Sequence, residues 1–255
     1  MMQCLLKALF DSKKGFLVDN IKIALVGKIS EAYDSYSKVK EAVNHAASYL
    51  SVDVDLLWVD SNNVTPMNVQ ETLKPADGVI LLGGFGKQGT EGMIVATKYA
   101  REKSIPLLGI CLGMQIIIIE FARSVLGYQE ATSEEFDQYT KYPVVHKIAK
   151  DNENPLRQGV FSVSIQENSL AASIYQKEVI NESFRHSYGF NVNYENEYQN
   201  NGLKVSGRLL NDKAVEIVEI PNHPFFIGVQ YHPEFQSSLD NPHPLFVNLF
   251  KKLKK

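Results

Sequence analysis

The sequence predicts an α/β protein: a mostly parallel twisted sheet with helices on both faces, plus a smaller antiparallel sheet. Three observations predict it. In the first half, short β-rich runs alternate with amphipathic helical patterns, the mark of βαβ units. The run Gly78–Leu82 (GVILL) is apolar almost throughout, as a strand covered on both faces must be. Beyond about Tyr128 the chain changes to short polar–apolar alternating segments with turn residues between them, which read as antiparallel strands laid on the parallel core.

In order, Ile21–Val26 (IKIALV) is a first strand, ended by Gly27. Val39, Ala42, Val43, Ala46, Ala47 and Leu50 recur at three- and four-residue steps and give a helix with one apolar face. Val52–Val59 is a second strand and Asp60–Asn63 a loop. Gly78–Leu82 is a third strand, running into Gly83-Gly84-Phe85-Gly86. Thr90–Lys103 reads as a helix, and Ile105–Ile110 as a fourth strand ending at Cys111. Leu112 to about Leu126 is apolar nearly all round, hence a central, buried helix. After an acidic stretch, Glu130–Tyr142, further strands are expected at Phe161–Ile165, Tyr188–Asn193, Leu203–Leu209, Val215–Ile220 and Phe225–Gln230. A helix from about Pro244 to Lys252 closes the chain. No repeat or linker divides it, so one domain is expected over residues 21–255, with 1–20 as an N-terminal extension.

The totals exclude several classes of function. The 255 residues are 44% hydrophobic and 22% charged, with a formal net charge of −3. Neither nucleic acid nor an anionic membrane surface is implied as the main partner. The lysines at 251, 252, 254 and 255 fit a solvated helix end favoured by the helix dipole. Two cysteines, Cys4 and Cys111, are too few for a disulfide framework and fit a reducing compartment. No apolar run approaches the roughly 20 residues that cross a bilayer, and residues 1–20 carry no clear signal peptide. A cytoplasmic location is expected.

The chemistry concentrates at Gly109-Ile110-Cys111-Leu112-Gly113. This is a G-x-C-x-G pattern where an apolar strand meets a helix, the thiol analogue of a nucleophile elbow. The sharp turn needs small neighbours, and the helix N-terminus favours thiolate over thiol. Attack by a thiolate on an amide creates an oxyanion that needs backbone donors. Leu112 N–H is one candidate, and the Gly83–Gly86 loop offers another. That loop is not a phosphate loop, because Gln88 stands where the Walker pattern needs Ser or Thr. Of six histidines, His232 stands out in Gln230-Tyr231-His232-Pro233-Glu234-Phe235. Two-residue spacing in extended chain places Glu234 on its side, able to orient the ring. His45 reads as a helix-surface residue and His146 as partnerless, while His223 and His243 precede prolines and shape turns. No metal-ligand spacing appears, and no cofactor is expected.

The chain resembles the class I glutamine amidotransferases, most closely the amidotransferase domain of CTP synthase. The resemblance rests on Cys–His–Glu in this chain order and on five stretches. These are GGFGKQGTEG (83–92), LGICLGMQ (108–115), KYPVV (141–145), VEIVEIPNHP (215–224) and HPEF (232–235) followed by His243-Pro244-Leu245-Phe246. It implies a flavodoxin-like class I amidotransferase fold. It also implies Cys111 as the nucleophile that forms a γ-glutamyl thioester, His232 as general acid/base and Glu234 as its orienting partner. Gly84 and Leu112 fall at the oxyanion-hole positions. Gly83, Gln115, Glu135, Arg185, His186 and Ser187 fall in the substrate-binding region. The implied substrate is glutamine or another γ-glutamyl amide, and the implied partner is a separate synthetase subunit that takes the ammonia.

Three departures accompany the resemblance. Ser187 stands where the family keeps a glutamine-binding arginine, a loss on the order of 2–4 kcal/mol unless another cation such as Arg185 substitutes. Lys147–Ser169 replaces a family G-G-T-M-R-L-G segment. The synthetase half has no counterpart in these residues, so CTP synthesis by this chain alone is not expected. Two alternatives follow: a hydrolase for an N-substituted γ-glutamyl amide, and a non-catalytic regulatory module of the same fold.

Overall fold

The computed structural model describes residues 20–29, 34–148, 156–212 and 214–254; Cys4 and nearly all of the expected N-terminal extension lie outside them. The first half forms as expected. Strand β1 (Asn20–Gly27) is followed by α1 (Asp34–Leu50), β2 (Asp53–Asp60), α2 (Val69–Leu73) and β3 (Gly78–Leu81). Then come α3 (Thr90–Glu102), β4 (Leu107–Ile110) and α4 (Leu112–Ser124). The Asp60 carboxylate caps a single 3-10 turn at Ser61–Asn63, accepting the Asn62 N–H at 3.1 Å.

The second half contributes β5 (Thr132–Ser133), β6 (Pro143–Lys147), β7 (Arg157–Ile165), α5 (Leu170–Tyr175), β8 (Val179–His186) and β9 (Tyr188–Phe190). It ends with α6 (Glu195–Asn200), β10 (Lys204–Leu209), β11 (Val215–Glu219), β12 (Phe226–Val229) and α7 (Pro244–Leu253).

One nine-stranded sheet has the order β2-β1-β3-β4-β12-β11-β10-β7-β8. Its first five strands are parallel and the rest are joined antiparallel. The antiparallel strands therefore continue the main sheet instead of lying on it. The Phe225–Gln230 segment, expected to be antiparallel, pairs in parallel with β4, with Val229 opposite Ile110. A second sheet, β5-β6-β9, joins a two-residue parallel strand to an antiparallel pair. The strand expected over Tyr188–Asn193 stops at Phe190, because the Asn191 side chain accepts the Asn193 N–H at 3.2 Å and turns the chain.

Helices cover both faces. Val39, Ala42, Val43 and Ala46 of α1 pack with Leu249 and Phe250 of α7 on one side. On the other, α4 presents Ile116–Ile119 to the sheet and to α3, all four at most 1% exposed. Each contributes about 2 kcal/mol of apolar transfer. Arg101 of α3 reaches Glu120 of α4 through two hydrogen bonds, at 2.8 and 2.9 Å, and locks the central helix in rotation. No helix among the described residues is long and apolar enough to cross a membrane. The layers leave the carboxyl ends of β3, β4 and β12 side by side, where ligands of open α/β sheets sit.

Candidate active site

Cys111 occupies the one-residue corner between β4 and α4, with φ 53° and ψ −104°. Few non-glycine residues adopt such a backbone, and it persists only where surrounding bonds enforce it. Here the Cys111 N–H donates to Val229 O of β12 at 2.8 Å. Its carbonyl accepts from Met114 N–H at 3.1 Å and Gln115 N–H at 3.3 Å. Gly113 lets α4 lie directly on β3: a Cβ there would stand 2.5 Å from Leu81 O. The small elbow neighbours are thus a packing requirement.

The strand that receives the Cys111 N–H also delivers His232. Past Val229 the chain runs Gln230-Tyr231-His232, and the His232 N–H donates to Ser183 O of β8 at 2.8 Å. Its Nδ1 lies 2.7 Å from Glu234 Oε1. A carboxylate partner at Nδ1 keeps the proton there and turns Nε2 toward the sulfur. The expected contact is present, but the backbone differs from the extended chain assumed for it. Pro233–Gln236 is a 3-10 turn with proline in its first turn, and this tighter spacing swings Glu234 back under the ring. Burial opposes an imidazolium here. The Cys111 sulfur, as charge and as hydrogen-bond partner, and the Glu234 carboxylate outweigh it and push His232 up to about 11. A Cβ on Gly83 would sit 3.3 Å from His232 Cε1 and 3.7 Å from Cys111 Cβ. A side chain there would press on the imidazole, so glycine suits the loop's close approach to both groups.

These residues face a cleft of about 790 Å³. Gly83, Gly84, Gln115, Glu135, Arg185, His186 and Ser187, all expected from the sequence, line it together with Cys111 and His232. Glu234 and Leu112 stand just behind, beside His232 and Cys111. Leu112 opens α4, so its N–H has no intrahelical acceptor. A Cβ on Gly84 would lie 3.3 Å from the Leu112 side chain, and neither N–H has a partner among the described residues. Leu112 follows Cys111 directly and Gly84 lines the same cleft, so two backbone donors without a partner among the described residues belong to the residues around the corner.

One turn into α4, Gln115 Nε2 donates to Tyr188 O at 3.0 Å and to Gln230 Oε1 at 3.4 Å. With both hydrogens engaged, its buried Oε1 has no partner. Glu135 Oε1 accepts the Gly86 N–H at 2.8 Å, and burial, outweighing that bond, holds its carboxyl above the usual carboxylate range. Arg185, exposed on β8, has no ion pair among the described residues, whereas Lys38 at the mouth is bound to Glu41 at 2.7 Å.

Sequence reasoning missed Gln230, whose Nε2 lies 3.7 Å from the Cys111 sulfur. The signal was present, because it precedes His232 by the same two residues that drew attention to Glu234. The other histidines lie elsewhere. His45 Nδ1 meets Ser237 Oγ at 3.1 Å, and His146 is half-buried outside the cleft. His223 closes a turn onto Phe225 N–H. His243 does more than shape a turn: its Nδ1 caps α7 at Leu245 N–H, and its Nε2 bonds Glu182 at 3.0 Å. Glu182 also accepts from Gln236 at 2.8 Å, tying the His232 loop to β8.

His186 carries a pH prediction. Burial, against one hydrogen bond to Tyr188 O, lowers it from 6.5 to about 4. The unfolded chain therefore takes up this proton first, and the stability held above pH 6.5 is lost as pH falls toward 4, by about 3 kcal/mol. His186→Phe is expected to flatten the melting-temperature curve across that window. Parallel wild-type and variant curves would refute the assignment.

The matches to known proteins now have a geometry to meet. The model of the family "Glutamine amidotransferase class-I" matches residues 31–252. CTP synthase from Clostridium beijerinckii is 43% identical over 240 residues, covering 92% of this chain and 45% of that protein. CTP synthase from Flavobacterium johnsoniae is 45% identical over 233 residues, covering 89% of this chain and 43% of that one. The chain thus spans under half the length of these relatives. The glutaminase domain of Trypanosoma brucei CTPS with bound acivicin superposes with TM-score 0.85 at 33% identity, covering 91% of this chain and 93% of that domain. A glutamine amidotransferase from Thermotoga maritima, at 14% identity and TM-score 0.55 over 91% of this chain and 96% of that one, shares the fold. On this match across most of its length, the chain belongs to the class I glutamine amidotransferase family, as an enzyme of that type with a domain close to that of CTP synthase.

Proposed function

We propose that the chain hydrolyses the γ-amide of glutamine through a γ-glutamyl thioester on Cys111, giving glutamate and ammonia. The carrying observation is the corner cysteine set beside an imidazole that Glu234 holds at 2.7 Å, the two so close that a Cβ on Gly83 would stand 3.3 Å from His232 Cε1 and 3.7 Å from Cys111 Cβ. The reaction starts once the thiol proton has passed to His232, whose protonated form the site favours. The sulfur attacks the amide carbon, a C–S bond forms, and the carbonyl electron pair moves to oxygen, held by Gly84 and Leu112 N–H. His232 gives its proton to the amide nitrogen, the C–N bond breaks and ammonia leaves. Neutral His232 then takes a proton from water, the hydroxyl adds to the thioester carbon, and the C–S bond breaks to restore the anionic sulfur.

The polar groups of the cleft wall suit the amino-acid end of the substrate. The unpartnered Gln115 Oε1 and the Glu135 carboxylate accept hydrogen bonds from an α-ammonium. Arg185 takes the α-carboxylate that Ser187 cannot. Its exposure screens the attraction, so Arg185→Ala is expected to raise KM for glutamine roughly tenfold with kcat little changed. An unchanged KM would reassign the carboxylate to another group. The relatives' greater length supports a synthetase component as consumer of the ammonia.

The test is a substrate panel with glutamate and ammonia quantified together. Equal release from glutamine, at the highest kcat/KM of the panel, supports the proposal. A higher value for an N-substituted γ-glutamyl amide would move the substrate while keeping the chemistry. No turnover of any member would leave a binding module.

A further inference from the structure

We infer that Gln230 is a further catalytic residue, whose side-chain amide donates a hydrogen bond to the Cys111 sulfur and favours its anionic form. The inference rests on the thiol chemistry proposed above and deepens it. Gln230 is fully buried, and its Nε2 lies 3.7 Å from Sγ, the atom that attacks and later leaves. The surrounding bonds set the direction of its amide. Gln115 Nε2 spends one hydrogen on Tyr188 O, and its second goes to Gln230 Oε1. With its oxygen accepting, the Gln230 nitrogen is the end turned to the sulfur. The backbone is fixed as well, since Gln230 N–H donates to Glu216 O at 3.0 Å. A series of donations thus runs from the Gln115 amide through Gln230 to the nucleophile.

An amide donor buried in this way needs an acceptor. Neutral thiol sulfur is a weak one, while a charged acceptor makes a bond about twice as strong. The contact therefore discriminates between the two states of the sulfur, which a purely structural glutamine would not do. No proton leaves Gln230 at any step. Its bond weakens as the C–S bond forms and the charge moves to the carbonyl oxygen. It strengthens again when the thioester C–S bond breaks and the electron pair returns to sulfur. Gln230 accordingly favours ionisation of the resting thiol and departure of sulfur in the second half-reaction, where the acyl group is released to water.

Two variants and one wild-type measurement test this. Gln230→Met keeps length and removes the donor. Gln230→Glu keeps shape and an acceptor for Gln115, removes the donor, and adds a negative charge. The readout is the rate of Cys111 alkylation by iodoacetamide against pH, with Cys111→Ala as the blank and thermal melts to establish folding. The neutral-pH rate is expected to fall roughly tenfold in Gln230→Met and further in Gln230→Glu, each profile moving to higher pH. With glutamine, the variants are expected to build up acyl-enzyme and lose kcat more than kcat/KM. Alkylation profiles that superimpose on wild type would overturn the assignment.

In the wild-type protein labelled with 15N, the Gln230 side-chain amide signals should titrate along the alkylation profile and stop doing so in Cys111→Ala. Signals indifferent to that transition would overturn the inference even where a variant failed to fold. Neither the alkylation profile nor the 15N titration uses glutamine, so failure of the hydrolysis proposal and failure of this one are separate results.

Discussion

Cys111→Ala is expected to abolish ammonia release from glutamine, with kcat down by about 10⁴-fold or more. No second thiol can take over, because Cys111 is the only cysteine among the described residues. The fold should tolerate the change. Alanine keeps the Cβ, and the corner is held by backbone bonds to Val229 and from Met114 and Gln115, none of which involves the sulfur. The strain at φ 53° exists in both proteins. The melting temperature should therefore stay near wild type while turnover vanishes, and glutamine binding should persist. Ammonia release by the variant above a tenth of the wild-type rate would remove the thioester mechanism.

His232→Ala is expected to reduce kcat/KM by about 10³-fold. In the proposed mechanism the residue acts twice, first taking the thiol proton and then giving a proton to the leaving nitrogen. Its elevation to about 11 means that the imidazolium persists through the neutral range while the pair is intact. Activity should accordingly hold on the alkaline side until the pair itself loses its proton. Glu234→Gln is expected to fall short of wild type by about 10²-fold, since a neutral amide neither fixes the ring tautomer nor balances its charge. The check is a pH–rate profile for all three proteins, with neutral-pH alkylation of Cys111 slowed in His232→Ala. A variant that alkylated and turned over like wild type would separate the histidine from the chemistry.

Much of this architecture was legible because its signals are local. Strands β3 and β4 are apolar at every position, and the helix after Cys111 is apolar nearly all round. The elbow glycines could be read because backbone contact leaves no room for a side chain. What escaped depends on distant partners. Strand β8 (VINESFRH) was missed because its buried face carries Glu182 and His186, which interrupt the apolar alternation. Glu182 is bonded to His243 and Gln236 and one His186 nitrogen to Tyr188 O, and no spacing within the strand announces such partners. The direction of β12 escaped for the same reason, since its parallel neighbour β4 lies far back in the chain. Gln230 escaped because an amide carries no charge to draw attention, although its register relative to His232 was visible. Ser187 and Arg185 both line the cleft, and Arg185 has no ion pair among the described residues.

The pairing of β4 with β12 has a consequence for biosynthesis. A polypeptide emerging from the ribosome exposes its sulfur-bearing corner long before the imidazole-bearing segment has been made. Until the last strand docks, Cys111 lacks the His232 proton donor and the Val229 carbonyl that anchors its backbone. Assembly of the nucleophile's surroundings is thereby timed to the docking of β12, and a product lacking that strand carries a cysteine without its His232 and Val229 partners.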